Sequence, residues 1–495
     1  GKDSGRMNQG KEKTSAYMTV YMTLTLAVIL SLCLTLIEGA RQNGVYLESE
    51  CVTDIGLNSV LAEYHRELLR QYNLFAVDSS YGTDLPTIQN AEERLNFYIE
   101  KNLSRDDIFL DWLMYRDLMG LKSERIEIKG ARIFTDGHGA VFRRRAAEAM
   151  WDDMNGALFE EFQQWIQTVE SEKMTETDIA ARKKKLDSNL KKYDGTEKQI
   201  SETKWVTVKV TNPTSYLEKI RTKGILTWVI KDTSKLSNKV LQESNLAGYR
   251  MKTDRCNQGN MALEDNPLMN DVMERFLFQE YLLKYMGYYG SEKSEHALAY
   301  QVEYLLAGKV SDLDNLKSVV NRIFAIREVS NTAYIFSDRE KCDVAGMLAS
   351  ILANAMFIPE ATSLIKEILL LGWAFAESIY DLQCLMQGGK IPLTKTSDTW
   401  HFTLENALNL TGNANASGRK GLGYSDYLRV LLWLEGEKIL TERAADMIEV
   451  DIRQTPGNEY FRLDGCVDAM EAVVNMRSVY GYDCEITREK GYSTQ

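Results

Sequence analysis

The residues of this chain that are best suited to binding a ligand are six tyrosines in a window of 24 residues. They are Tyr281, Tyr285, Tyr288, Tyr289, Tyr300 and Tyr304. Exposed aromatic rings form sugar-binding platforms in some surface proteins, and Tyr281, Tyr285, Tyr300 and Tyr304 are the candidate platform here. The alternative is that the rings close an interface between helices, with their hydroxyls at its rim. The helical interface is the commoner arrangement.

Few residues stand in the spacing that catalytic or metal sites require. The four histidines, His65, His138, His296 and His401, occur in no HExxH or paired-ligand pattern, so the sequence gives little support for zinc. The segment GRKGLG at 418–423 lacks the spacing of a phosphate-binding loop, and no GxSxG or GxGxxG motif occurs. We therefore expect no enzyme, no metal and no cofactor, although catalytic groups can also be assembled from distant positions.

The cysteines offer a second kind of chemistry. Cys33 lies in an apolar run, and six other cysteines could form three disulfide bonds: Cys51, Cys256, Cys342, Cys384, Cys466 and Cys484. Cys466 and Cys484 are the best candidate pair, because both fall in one short C-terminal unit.

A long apolar segment lies near the N-terminus of the chain. Residues 16–37, AYMTVYMTLTLAVILSLCLTLI, are 22 consecutive residues without a formal charge. A helix of this length covers ~33 Å at ~1.5 Å per residue, which is enough for a ~30 Å hydrocarbon core. A signal peptide is the alternative, but the run exceeds the usual length and no small-residue cleavage site precedes Glu38. The sequence therefore predicts an uncleaved transmembrane anchor.

The distribution of charge predicts the orientation of that anchor. Residues 1–15 contain four basic and two acidic residues, a net charge of +2, and the whole chain has −12, so the residues after the span sum to −14. A positive short flank stays on the cytoplasmic side of a membrane. We expect a cytoplasmic N-terminus, an extracellular C-terminal domain and a single pass through the cell membrane. The acidic balance also argues against nucleic acid as a partner.

Hydrophobic spacing predicts a predominantly helical α+β protein. Apolar residues recur at threes and fours after the span, which predicts one long rod from about Ala16 to Tyr72. Residues 205–210 and 224–230 have strand character, and residues 267–451 read as successive helices. Two further apolar runs, 344–359 and 368–376, are too short to cross a membrane and predict a buried helical hairpin.

These patterns divide the chain into seven segments. They are a cytoplasmic segment (1–15), a transmembrane helix (16–37), an amphipathic helical extension with adjoining helices (38–121), a small sheet with an inserted helical hairpin at 141–195 (122–234), a linker (235–264), a helical region (265–455), and a C-terminal strand–helix–strand unit with its helix at 466–476 (456–495).

Several motifs resemble a known group of proteins. The span closes on TLIEGAR at 35–41, which resembles the single anchor of TadE/TadG-type pseudopilins. The segment SVLAEYHRELLRQYNLFA at 59–76 is similar to an uncharacterised Firmicutes family of membrane-anchored proteins from tight-adherence (Tad) pilus loci. Shorter similar pieces follow at 304–309, 373–378 and 424–428.

This resemblance implies a minor pseudopilin or assembly factor of a Tad-like type IV pilus system. Pilins are processed after a glycine that a glutamate follows five residues on, whereas here Ser15 follows Gly10 at that distance, so processing is not expected. The implied partners are membrane lipid and other pilus subunits, bound through the N-terminal helix. The candidate packing and anchor residues are Thr19, Thr23, Ser31, Thr35, Glu38 and Arg41. A spanning helix also tolerates Ser and Thr without any such role.

Two other functions remain open at this point. The first is a cell-surface protein that binds a glycan or peptide through the tyrosine-rich region. The second is a cell-envelope enzyme of unrecognised class.

Overall fold

The structure is a computed structural model and describes residues 4–103, 120–153, 156–171, 176–230, 232–246, 259–264, 266–267, 269–410 and 420–492. Its helices are α1 (Ser4–Leu61), α2 (Arg66–Tyr72), α3 (Ile88–Leu103), α4 (Asp136–Glu148), α5 (Gly156–Ser171), α6 (Glu176–Lys191), α7 (Ser215–Lys223), α8 (Leu226–Val229), α9 (Asp271–Tyr285), α10 (Gln301–Ala307), α11 (Asp312–Ser337), α12 (Arg339–Ala355), α13 (Thr362–Met386), α14 (Leu404–Asn409), α15 (Tyr424–Leu434) and α16 (Glu437–Arg453). Its strands are β1 (Val77–Asp78), β2 (Lys122–Ile133), β3 (Glu197–Ser201), β4 (Lys204–Thr207), β5 (Cys466–Arg477) and β6 (Asp483–Gly491). The predominantly helical α+β class that the sequence predicts is confirmed.

The first helix is much longer than the apolar segment, residues 16–37, that it contains. α1 runs for 58 residues, from Ser4 to Leu61. The helix ends there, and His65 caps the start of α2. Its Nδ1 accepts a hydrogen bond from the backbone N–H of Leu68. The prediction of one rod reaching Tyr72 is therefore wrong at its last turns, because an imidazole cap starts a separate helix there.

A four-stranded antiparallel sheet joins regions that are far apart in the sequence. β5 lies at its centre and pairs with β1, β2 and β6. Both faces of β5 are mostly buried, so its apolar residues do not alternate with polar ones. The predicted helix at 466–476 is wrong for this reason, because a strand buried on both faces loses the two-residue period that identifies strands.

The second half of α1 packs on this sheet together with α3. Val52, Leu57 and Val60 of α1 share a hydrophobic core with Leu95 of α3 and Val474 of β5. The two helices approach closely at Gly56, where an added Cβ would lie 2.9 Å from Cγ1 of Ile99. A glycine inside this helix therefore serves packing, and the same helix extends out of the core as a bare rod.

The remaining helices form a larger body around α13. α13 is buried over most of its length and packs against α6, α8, α11, α12 and α14. The two short apolar runs of the sequence fall in α12 and α13, and of these two helices α13 is the one that is mostly buried. Met347 and Ile351 of α12 are 63% and 65% exposed, so the predicted hairpin exists but is half open to solvent.

The strands of residues 122–234, which the sequence predicts as one small sheet, do not form a single sheet. β3 and β4 form a separate two-stranded hairpin after α5 and α6, so helices lie within the predicted range 141–195 but are not inserted in a single sheet. β2 instead belongs to the sheet of β5, and residues 224–230 contain the helix α8 rather than a strand. Residues 232–246 and 259–264 of the predicted linker contain no strand and no α-helix, and the linker residues between them lie outside the described part of the chain.

Candidate functional site: the anchor helix and its junction with the head

The N-terminal half of α1 is an apolar surface without a partner in the chain. Almost every residue from 17 to 43 is exposed, and none of the 18 residues in its most apolar window is buried. Among the described residues, only this helix and the helical segment Pro359–Met386 are long and apolar enough to cross a membrane. The second segment is 94% buried over the corresponding window, so it is a core helix. We call the folded part of the chain, from Val45 of α1 onward, the head.

Small residues recur at every fourth position along the exposed half of α1. They are Thr19, Thr23, Ala27, Ser31, Thr35 and Gly39. The hydroxyl of Thr23 donates to the carbonyl oxygen of Val20 at 2.9 Å, and that of Thr35 donates to Leu32 at 2.8 Å. These two hydroxyls are thus satisfied within the helix, and small side chains let a second helix approach closely. A four-residue spacing exceeds the 3.6-residue turn, so this row winds in a right-handed sense.

Glu38 and Arg41 lie at the point where the bare helix meets the head. The phenol of Tyr482 donates a hydrogen bond to the carboxylate of Glu38. The guanidinium carbon of Arg41 lies 4.9 Å from the ring centroid of Tyr480, which is a cation–π distance. The structure therefore gives these two candidate packing residues a different role, because both contact the turn between β5 and β6 of their own chain.

Ion pairs continue the junction along β6. Arg488 pairs with Glu50 of α1, and Nζ of Lys490 lies 3.5 Å from a carboxylate oxygen of Asp54. The hydrogen bond with Glu50 also raises the pKa of the exposed Tyr46 phenol. Charged side chains thus attach the helix to the head over the four turns that follow Glu38.

A third contact lies near the far end of α1. The carboxylate of Glu63 accepts hydrogen bonds from Arg94 and from the phenol of Tyr98 at 2.6 Å. Burial opposes ionisation of Glu63, but these hydrogen bonds outweigh it and lower its pKa. The apolar core and these polar contacts together hold α1 as an integral part of the head.

The candidate tyrosine platform does not form an exposed surface. Tyr281, Tyr300 and Tyr304 are buried, and Tyr285 is half-buried with its ring centroid 4.8 Å from that of Tyr281. The hydroxyl of Tyr281 donates to the Tyr72 carbonyl at 2.6 Å, and that of Tyr304 donates to Asp446 at 2.8 Å. Burial raises the pKa of all three buried phenols. These rings belong to helix interfaces, and the platform prediction is corrected accordingly.

The candidate disulfide is absent as well. Both Cys466 and Cys484 are free thiols. Cys484 lies opposite Met476 in the sheet, ten residues along β5 from Cys466. That separation is ~33 Å at ~3.3 Å per residue, whereas a disulfide needs Cα atoms within ~7 Å. Nearness in sequence misled the prediction, because Cys484 lies beside the turn of the hairpin, whereas Cys466 lies at the opposite end of β5.

The head contains a cluster of buried charges that sequence reasoning missed. Nζ of Lys395 lies 2.6 Å from Glu377 and 2.7 Å from Asp381, and Arg327 lies 3.0 Å from Asp381. All four side chains have no exposed surface. Burial opposes ionisation of Asp381, but Arg327 and Lys395 together lower its pKa. The only sequence signal was the presence of two charged residues, Glu377 and Asp381, in the apolar part of α13 that follows Glu367.

A cavity of about 650 Å³ lies between α4, α16 and the residues that directly follow β2. Its ionisable lining residues include Asp136, His138 and Glu442. The carboxylate of Asp136 is occupied, because it accepts backbone hydrogen bonds from Ile133 and Gly259, both at 2.7 Å. Within the described residues no group of three or more His, Cys, Asp or Glu side chains could hold a metal ion.

Comparison with known proteins gives one match. The model of a family of unknown function (DUF5702) matches residues 203–478, which is more than half of the chain. The matched residues include α7 to α16 and strand β5, and they exclude α1 to α6. No curated protein and no solved structure matches the chain.

Proposed function

Since the chain belongs to the DUF5702 family, whose function is unknown, we propose a role for it from its own residues and geometry. The protein is a non-enzymatic, membrane-anchored component of a Tad-like type IV pilus system, acting as a minor pseudopilin or an assembly factor. α1 spans the cell membrane once with residues 16–37, the N-terminus is cytoplasmic, and the head is extracellular.

One observation carries this proposal. α1 is a single unbroken helix whose first half is bare and apolar and whose second half is part of the core of the head. An exposed apolar surface of this length is unfavourable in water and matches the thickness of a bilayer. A rod of this kind, continuous with a globular head, has the form of a pilin-like subunit.

The row of small residues supports lateral packing of such rods. In lipid, helices associate by close contact rather than by exclusion of water, and small residues four apart favour a right-handed crossing. Thr19, Thr23, Ala27, Ser31 and Thr35 supply that surface on α1. The partner is another single-span subunit of the same system.

The alternative functions receive less support from the head. The candidate tyrosines are buried or half-buried. The carboxylate of Asp136, which lines the 650 Å³ cavity, already accepts two backbone hydrogen bonds. We therefore propose a function by assembly rather than by surface ligand binding or catalysis.

The test is co-purification of the tagged full-length chain from its own cells in mild detergent, read by mass spectrometry. We expect TadE/TadG-type pseudopilins and the secretion ATPase or platform proteins of a Tad system in the eluate. An eluate with intact bait and none of these proteins would overturn the proposal.

A matched pair of variants separates helix packing from nonspecific capture. Ala27→Leu places a bulky side chain in the row of small residues. Thr25→Leu adds a bulky side chain ~160° away on the same helix, outside that row. We expect Ala27→Leu to lower recovery of the single-span partner about tenfold, equivalent to ~1.4 kcal/mol. Thr25→Leu should recover the partner as well as the natural chain does.

A further inference from the structure

The turn between β5 and β6, residues 478–482, lies beside the end of the proposed span. We call it the hairpin tip. Its Tyr482 donates to Glu38, and its Tyr480 lies under the guanidinium of Arg41. Glu38 and Arg41 follow directly after Ile37, the last residue of the apolar run, so Arg41 is ~6 Å further along the helix. The hairpin tip is therefore at the level of the lipid headgroups, which extend ~5–8 Å beyond the hydrocarbon on each side.

The exposed residues of the hairpin tip suit that layer. Val479 is 66% exposed and Tyr480 is 46% exposed, although both belong to a folded head with a large apolar core. Tyrosine rings are enriched at membrane–water interfaces, where an apolar ring and a polar hydroxyl are both satisfied. Arg41, which packs on the ring, presents a cation at the depth of the lipid phosphates.

The hairpin tip is also held in one conformation. Ser478 and Tyr482 close the turn through a backbone hydrogen bond of 2.9 Å, and the Ser478 hydroxyl oxygen accepts the Tyr480 N–H at 2.9 Å. Gly481 has φ of +82°, a conformation that glycine adopts without strain. The N–H of Val479 donates to the carbonyl of Gly120 at 3.1 Å. The tip would therefore need little further ordering to enter a membrane surface.

We infer that the hairpin tip is a second membrane contact, which places Val479 and Tyr480 in the headgroup layer of the leaflet next to the head. The inference rests on the proposed membrane span and goes beyond it. The occupant is the phospholipid bilayer itself, because the tip contacts Glu38 and Arg41, the first charged residues after the apolar run. Two contacts, the span and the tip, fix the tilt of the head above the membrane.

The test uses the full-length chain in vesicles of phosphatidylcholine and phosphatidylglycerol, with a benzophenone amino acid replacing Tyr480. The control is the same replacement at Tyr460, which is 53% exposed. The ring of its neighbour Phe461 lies 4.6 Å from that of His65, beyond the far end of α1. That end is ~35 Å along the helix from Glu38. After irradiation, mass spectrometry counts lipid adducts on each chain.

We expect at least ten times more lipid adduct at position 480 than at position 460. Equal yields, or cross-linking at 480 only to another polypeptide, would overturn the inference. The same vesicles are floated on a density gradient. A chain that floats without an adduct at 480 refutes the membrane contact of the tip alone, whereas a chain that does not float refutes the proposed span and the inference with it.

Discussion

Two apolar helices of this protein have opposite surroundings. The most apolar window of α1 has a mean hydropathy of 2.3 and is entirely unburied, whereas that of the segment containing α13 has 1.3 and is 94% buried. The difference lies in the charges that each helix carries. α13 contains Glu377 and Asp381, and the head supplies Lys395 and Arg327 to pair with them. Residues 16–37 of α1 contain no charge at all.

The comparison separates a buried core helix from an exposed apolar helix that we propose as a membrane anchor. Inside a folded head a charge is tolerated when a partner lies within hydrogen-bond distance. In a bilayer an isolated helix has no such partner, so a charge near its centre opposes insertion. Each prediction below changes one side of this comparison.

The largest effect is expected from breaking the charge cluster of α13. Arg327→Met leaves Asp381 and Glu377 with Lys395 as the one remaining cation of the cluster, an excess of buried negative charge. We expect the head to lose ~3–5 kcal/mol of unfolding free energy. Urea unfolding of the full-length chain in mild detergent measures this loss.

The control for Arg327→Met is a change at another arginine of α11. Arg322→Met removes a pair with Glu435 in which the arginine side chain is 44% exposed. Exposed pairs contribute at most ~1 kcal/mol, so this variant should unfold close to the natural chain. Equal losses from the two variants would show that the buried cluster is no more important than a surface pair.

The next largest effect is expected from placing a charge in the bare helix. Val28→Lys introduces an ammonium near the centre of the span, at a cost of ~2.5–3.5 kcal/mol on insertion scales. We expect the chain to move from the carbonate-resistant membrane fraction to the soluble fraction while its head stays folded. Val28→Leu should remain with the membrane, and a Val28→Lys chain that does the same would contradict the span.

A buried carboxylate without a complete set of partners should make the head sensitive to pH. Oε1 of Glu303 accepts hydrogen bonds from Tyr289 and Tyr424, whereas among the described residues Oε2 has no partner. Burial raises the pKa of Glu303 to about 7, above its ordinary value of 4.5. The unfolded chain therefore releases this proton at lower pH than the folded chain does, and the stability of the head falls as pH rises from 4.5 to 7.

We expect this fall to be about 3 kcal/mol for the one group. Glu303→Gln cannot titrate, so urea midpoints of the variant and the natural chain should converge at low pH and separate near pH 7.5. The same dependence on pH in both chains would show that other groups are responsible.

The smallest effect is expected at the junction. Tyr482→Phe removes the hydroxyl that bonds Glu38, which should cost ~1 kcal/mol locally because both groups are near the surface. Hydrogen exchange of the backbone amides at 38–44 should speed up by about fivefold. Tyr460→Phe, a change at an exposed residue at the other end of the head, should leave those amides unchanged.

How much of this arrangement the sequence predicts depends on the range of the interactions. The apolar run at 16–37 and the helical character of 267–451 follow from local composition and spacing, and both agree with the structure. The central strand β5 does not, because two of its three neighbouring strands come from residues 77–78 and 122–133, hundreds of positions earlier.

The same reason explains the errors at the candidate sites. Whether Tyr281 is exposed depends on α2, whose Tyr72 carbonyl accepts its hydroxyl from 209 positions away. The contacts of Glu38 and Arg41 depend on a turn more than 400 positions later. Residue type suggested that these positions mattered, but only the tertiary fold determines what they contact.

The central claim is that α1 crosses the membrane and holds the head outside the cell. Cys51 tests it directly, because its thiol is exposed on α1 and lies ~21 Å beyond Ile37 on the head side. Intact cells are treated with a membrane-impermeant maleimide, and peptide mass spectrometry measures alkylation of Cys51. We predict the same degree of labelling in intact and lysed cells, and labelling that appears only after lysis would contradict the account.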